Sequence, residues 1–224
     1  MSEAAESLKN VDSEHVQLSE RIVRDINIGK YGPGEWLKQI DLEQRYGVTR
    51  IAVRRVLDEL VAKRLVEHIP NRGYRVYALS PTQRREVSEI RTLLETAAAP
   101  GIVERATEKD IEDLTALAEG FKEAAYNGTI LEQNEANLRF HLRLLELCAN
   151  KSLVELITEL RQRGPAAPVT RWHTVAQLEK ASNDHFLIVD AIKNRDVEAM
   201  KTVITSHIND KGPERMAGGS SVKN

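Results

Sequence analysis

Between Leu65 and Ala78 the apolar pattern of this chain drops to a period of two, and after Pro81 it returns to a helical period and keeps it. The short-period stretch predicts two strands, Leu65–Ile69 and Tyr74–Ala78, joined by Pro70-Asn71-Arg72-Gly73. Those four residues suit a hairpin turn, because proline presets φ while asparagine and glycine tolerate a left-handed backbone. Upstream, Val16, Ile22, Val23 and Ile26 share one face of a helix running from about Val16 to Ile28. Gly29 stops it and Gly32-Pro33-Gly34 makes a turn. A second helix is expected from Lys38 to Tyr46, with Ile40 and Leu42 as its apolar residues, and a third from Arg50 to Lys63. Gly47-Val48-Thr49 separates them, with Thr49 placed to cap the third. Three helices followed by a hairpin give the order of a winged helix-turn-helix.

Ser80-Pro81-Thr82 marks a boundary, since proline disfavours helix at the preceding residue and is tolerated at a helix start. Beyond it the pattern is helical throughout, over roughly 82–105, 108–126, 130–147, 151–163, 175–194 and 196–210, broken by Gly164-Pro165-Ala166-Ala167-Pro168. The expected fold is mainly α: a winged helix-turn-helix over 15–79 and an antiparallel all-α bundle over 80–211. Flexible tails are expected over 1–14 and 212–224. No internal repeat is present.

Composition narrows the function. Aromatic residues are only 4% of the chain, too few for a base-stacking surface. Cys148 is the sole cysteine, which excludes an intrachain disulfide or a zinc–thiolate cluster. No secretory leader and no apolar run of membrane-spanning length is visible, so the expected compartment is the cytoplasm, with no membrane partner. The net charge of −2 is unevenly spread. Between residues 45 and 75, Arg45, Arg50, Arg54, Arg55, Lys63, Arg64, Arg72 and Arg75 face only Asp58, Glu59 and Glu67, a local +5. A basic segment on an acidic protein is an electrostatic footprint for nucleic acid.

Projected at about 100° per residue, the third helix puts Val53, Val56, Leu57 and Leu60 on one arc and Arg50, Arg54, Arg55 and Asp58 on the other. The first arc can pack; the second offers guanidinium groups to a major groove. Its N-terminal residues would sit deepest, which singles out Thr49, Arg50, Ile51 and Arg54, with Arg72 and Gly73 at the tip of the wing. The other arginines suit phosphates.

The second domain carries His141, His173, His185 and His207. Asn137 and His141, four apart, share a helix face. His185 and His207 lie 22 apart around a break at Asn194-Arg195-Asp196, so an antiparallel pair folded there brings them to one height. Three imidazoles and an amide oxygen would suit Zn²⁺, or Ni²⁺, with a position left open. The same residues also fit hydrogen-bonded core histidines. His173, beside Arg171 and Trp172, reads as loop or pocket wall. A metal-dependent hydrolase would need a carboxylate base, for which Asp184 and Glu135 have no compelling placement, and would leave the winged helix unexplained.

Val48-Thr49-Arg50-Ile51-Ala52-Val53-Arg54, Gly29 through Leu37 with Pro33-Gly34 in register, and Pro70-Asn71-Arg72-Gly73 together resemble the DNA-binding domain of the GntR family. Ile51 departs from the small hydroxyl residue usual at its position. Residues 82–211 resemble the FCD domain of that family's FadR-type branch, in the six-helix, VanR-like form, through Asn137-x-x-x-His141, Asp184-His185 and His207. The resemblance implies a homodimeric repressor on an inverted-repeat operator, and metal ligands Asn137, His141, His185 and His207. It also implies an effector-binding arginine at Arg91, for which pairing with Glu95 is the plainer alternative. Asn137 stands where aspartate is usual, leaving the metal charge uncompensated and favouring a carboxylate effector. A purely structural metal, or the metal as the signal itself, remain the alternatives.

Overall fold

The computed structural model describes residues 2–163 and 175–209, with side chains described from Ser13 to Gln162 and from Val175 to Asn209. His173 and the break at 164–168 lie outside the described residues, as does the segment 212–224. Helix α1 spans Ser2–Asn27, so the helical trace covers residues 2–14 that the sequence assigned to a tail. Ala4, Ala5, Glu6, Leu8 and Lys9 are strong helix formers, and no glycine or proline interrupts them. The buried face of α1 also differs: Val16 is exposed, and Leu18 joins Ile22 and Ile26 in the core.

Strand β1 (Trp36–Leu37) follows, then α2 (Gln39–Tyr46), α3 (Arg50–Ala62), β2 (Val66–Ile69) and β3 (Gly73–Val76). The sheet order is β1-β3-β2, antiparallel throughout, with Trp36 opposite Arg75 and Ile69 opposite Gly73. β1 was not expected, because two residues are too short to show alternation. Gly47 ends α2 in the left-handed region at φ 68°, which glycine reaches without Cβ strain. Thr49 then caps α3, its side chain accepting from the Ala52 amide. Val53, Val56, Leu57 and Leu60 are each fully buried on α1, α2 and the sheet. At ~1.5–3 kcal/mol per large side chain, this arc fixes the opposite face of α3 toward solvent. Ile40 is exposed and Leu42 alone anchors α2 with Tyr46.

The remaining elements are α4 (Pro81–Arg105), α5 (Glu108–Asn127), α6 (Ile130–Glu146), α7 (Lys151–Arg163), α8 (Val175–Lys193) and α9 (Val197–Asn209). Their starts are set by local chemistry. Reciprocal capping boxes join Ser80 to Gln83, Thr107 to Asp110 and Thr129 to Glu132. α5 packs on α6 and α8, α8 on α9, and α4 on α7 and α9, around a core that includes Ile102, Leu114, Phe140, Ile157, Ile192 and Met200. The two domains meet at one seam. The Asn134 amide of α6 donates to the Ile28 carbonyl at 2.9 Å, and Arg24 of α1 pairs with Glu135. Among the described residues, no helix is long and apolar enough to cross a membrane.

Candidate DNA-reading face and metal centre

The exposed face of α3 carries Arg50, Ile51, Arg54, Arg55 and Asp58. Arg50 Nε donates to Gln39 Oε1 of α2 at 3.1 Å, which holds the guanidinium at the helix start. Arg54 sits 3.9 Å from Asp58, and the Tyr74 hydroxyl of β3 donates to the same carboxylate at 2.5 Å, tying the wing to the helix. At the tip of the wing, Gly73 adopts φ 99° with open space where a Cβ would be. The Arg72 guanidinium lies over the Trp36 ring, 4.8 Å from its centroid. Arg75 approaches the same ring at 5.8 Å. Trp36 was not among the expected site residues. It preorganises the wing arginine by cation–π contact, and only the pairing of β1 with β3 reveals it. The structure therefore groups Thr49, Arg50, Ile51 and Arg54 on one helix end, and Arg72 and Gly73 on the adjacent wing.

The histidines converge as their spacing implied. α8 and α9 turn at Arg195, with φ 55°, and Asp196 accepts from the Ala199 amide to start α9. His185 and His207 then face each other with ring centroids 5.5 Å apart, and His141 of α6 stands 5.0 Å from the first and 5.1 Å from the second. One nitrogen from each ring falls within a 4.8 Å group. His173 lies outside the described residues.

The hydrogen bonds around the rings form one consistent chain. Arg161 Nη2 donates to His141 Nδ1 at 3.1 Å, so His141 carries its proton on Nε2. That proton points at His207 Nε2, 3.2 Å away, and His207 Nδ1 donates to Asp184 Oδ2 at 3.1 Å. Lys180 also donates to Asp184, at 2.9 Å. Burial alone would raise the Asp184 carboxyl, but the bonds from His207 and Lys180 hold it below the usual range. Burial pushes the His141 imidazole well below its ordinary value, and the Arg161 charge adds to the effect. Burial does the same to His185, with His207 and Arg161 contributing. Both rings are therefore held in the neutral form near pH 7, in which each has one N–H and one nitrogen lone pair.

His185 is the most informative member. It is fully buried, stacked on Phe140 at 4.0 Å and flanked by Phe121 at 4.7 Å. Among the described residues, neither of its ring nitrogens has a hydrogen-bond partner, and the buried Asn137 Oδ1 has none either. Leaving such atoms unsatisfied costs about 1–3 kcal/mol each, and a cation between the rings would remove that cost for Asn137 Oδ1 and for the one His185 nitrogen it binds. The residues present therefore fit a divalent ion held by His141, His185, His207 and Asn137, with Asp184 orienting His207 from behind.

A cavity of about 500 Å³ opens on this centre. Arg91, Arg161, His141, His207 and Asn137 line it, and α1 contributes Arg24 and Asn27. Arg91 both lines the cavity and donates to Glu95 at 2.9 Å, so the two readings of this residue are compatible. Glu95 also accepts from Arg161 at 2.6 Å. Burial opposes its ionisation, but Arg161 and Arg91 outweigh it and hold the carboxyl below the usual range. Sequence reasoning missed Arg161, which sits 66 residues from Glu95 on another helix.

A winged helix with a basic outward face, joined to a helical domain whose cavity is lined by arginines and histidines, is the architecture of a DNA-binding regulator. Residues 15–76 match the gntR family of bacterial regulatory proteins, and residues 86–210 match the FCD domain. The chain belongs to the GntR family, in the branch that carries an FCD domain. It is similar to YdhC of Bacillus subtilis (strain 168), an uncharacterised HTH-type transcriptional regulator, at 24% identity over 87% of this chain and 88% of that one. It is also similar to the galactonate operon transcriptional repressor of Escherichia coli (strain K12), at 27% identity over 86% of this chain and 91% of the relative. The structure of E. coli McbR/YncC shares the fold, with a TM-score of 0.80 at 23% identity over 87% of this chain and 93% of that one. The protein is a transcription regulator, not an enzyme.

Proposed function

We propose that this regulator is a cytoplasmic, homodimeric repressor of metabolic genes that reads a palindromic operator and responds to a small carboxylate bound at a metal centre in its helical domain. The observation that carries this reading is the set of partnerless buried atoms, His185 Nδ1 and Nε2 and Asn137 Oδ1, beside a cavity containing Arg91 and Arg161. Three neutral imidazoles and an amide oxygen suit Zn²⁺, with Ni²⁺ the next fit. A divalent ion there would supply Lewis acidity toward a carboxylate, and Arg91 offers a guanidinium for the same group. If His141 held the ion through Nε2, its ring proton would sit on Nδ1 and Arg161 would no longer donate there, while keeping its bond to Glu95 at the cavity wall.

On DNA, Thr49, Arg50, Ile51 and Arg54 enter the major groove, while Arg72 and Gly73 of the wing approach the backbone or minor groove. Ile90 and Leu93 of α4 and Leu156 of α7 are exposed on neighbouring helices and suit an isologous dimer contact. Coupling runs through α6, which carries Asn137 and His141 at the cavity and touches α1 through Asn134 and Glu135.

The test is a thermal-shift screen of purified protein against small carboxylic acids, with and without chelator. An acid that raises the midpoint only in metal-loaded protein supports the reading, because a native-state ligand stabilises by mass action. A second reading, a structural metal with no effector, draws on the way one ion would staple α6, α8 and α9 inside the core. It predicts a large midpoint loss on chelation and no response to any acid.

A further inference from the structure

Ile51 is 82% exposed, more than any other large apolar side chain among the described residues. Every other large apolar residue in the first three turns of α3 is fully buried, so the packing of the helix does not account for it. Helix propensity does not account for it either, since a β-branched side chain loses rotamer freedom in a helix. An apolar partner met on docking would account for it.

The surroundings identify that partner. Ile51 is the second residue of α3, directly after Arg50, and Arg54 and Arg55 follow it on the same face at three and four residues. Arg50 is braced by Gln39 and the helix begins at the Thr49 cap, so the first turn is rigid. A surface that sets one apolar group among three guanidiniums calls for a partner that carries negative charge and acceptors together with an apolar group. It suits the floor of a major groove, which offers acceptors to arginine and a single kind of apolar group, the C5-methyl of thymine.

We propose that Ile51 reads a thymine methyl in the major groove and thereby fixes one A·T pair in each operator half-site. This rests on the reading of α3 as the recognition helix. Arg50 and Arg54 select acceptor-rich base edges, and Ile51 selects the methyl beside them.

The experiment begins with an operator selected in vitro from random duplexes by the full-length protein. Each thymine of the half-site is then replaced by deoxyuridine, which removes only the methyl, and affinity is measured by fluorescence anisotropy at fixed salt. The expected result is one position per half-site at which deoxyuridine weakens binding on the order of fourfold, the value of one buried methyl. Ile51→Ala should abolish that sensitivity while still discriminating base changes elsewhere in the site, and Ile51→Val should retain part of it. Deoxyuridine without effect at every position, or an undiminished effect in Ile51→Ala, overturns the proposal and leaves the recognition-helix reading standing. Selection that enriches no sequence overturns both.

Discussion

Glu95→Gln removes one charge from the wall of the cavity with almost no change of shape. In the native protein the Glu95 carboxylate lies between Arg91, 2.9 Å away, and Arg161, 2.6 Å away. The three side chains are only 7%, 11% and 17% exposed, so solvent screens them weakly. Breaking a buried ion pair from one side costs about 3–5 kcal/mol, because the partner charge stays buried and uncompensated. Glutamine retains one acceptor oxygen, which places the expected loss near the lower end, ~3 kcal/mol. With a urea slope of about 3 kcal/mol per molar, the midpoint followed by helical circular dichroism falls by about 1 M. Two further results distinguish this cause from ordinary core damage. Citrate or sulfate should restore part of the loss, since an anion can replace the carboxylate that Arg91 and Arg161 lose and its binding stabilises the native state. The native protein and the variant should also converge in acid. The Glu95 carboxyl is held below its ordinary 4.5 in the fold. Its ionisation therefore stabilises at neutral pH, and that contribution disappears as pH falls from 4.5 toward the lower folded value. A midpoint change near zero, or a gap that persists unchanged in acid, would refute the reasoning.

Arg50→Ala and Arg54→Ala should each weaken specific operator binding by about 1–3 kcal/mol. Unchanged affinity in both would remove α3 from the groove. His185→Ala should leave the protein without bound metal in element-resolved mass spectrometry, and full occupancy would contradict the proposed centre. Asn134→Ala deletes the 2.9 Å bond to the Ile28 carbonyl across the domain seam. It should cost about 1–3 kcal/mol in denaturant unfolding and blunt the effect of an effector on DNA affinity. An unaltered effector response would place the coupling elsewhere.

The parts of this molecule that are legible in its sequence are those with local causes. The hairpin follows from Pro70-Asn71-Arg72-Gly73, the start of α3 from the Thr49 cap, and the start of α4 from Ser80 with Pro81. The His185–His207 pairing was also legible, because an antiparallel turn at Asn194-Arg195-Asp196 converts a spacing of 22 into a shared height. What was not legible depends on pairs brought together by packing. Trp36 meets Arg72 only because β1 joins the sheet. Glu95 meets Arg161 across α4 and α7, and Asn134 meets the Ile28 carbonyl 106 residues away across the seam. The exposure of Val16 and Ile40 reflects the same limit: periodicity shows which faces are apolar, but the neighbouring elements decide which residues are covered.

A metal-centred cavity that controls DNA binding is the core of the proposed function. It is tested most directly by measuring operator affinity across a panel of small carboxylic acids, with metal-loaded and chelator-treated protein compared at one salt concentration. Coupling between two sites is typically worth 1–3 kcal/mol, so the account predicts at least one acid that shifts the dissociation constant about tenfold when metal is present and not after chelation. Affinity indifferent to every acid, or an equal response with and without metal, would contradict it.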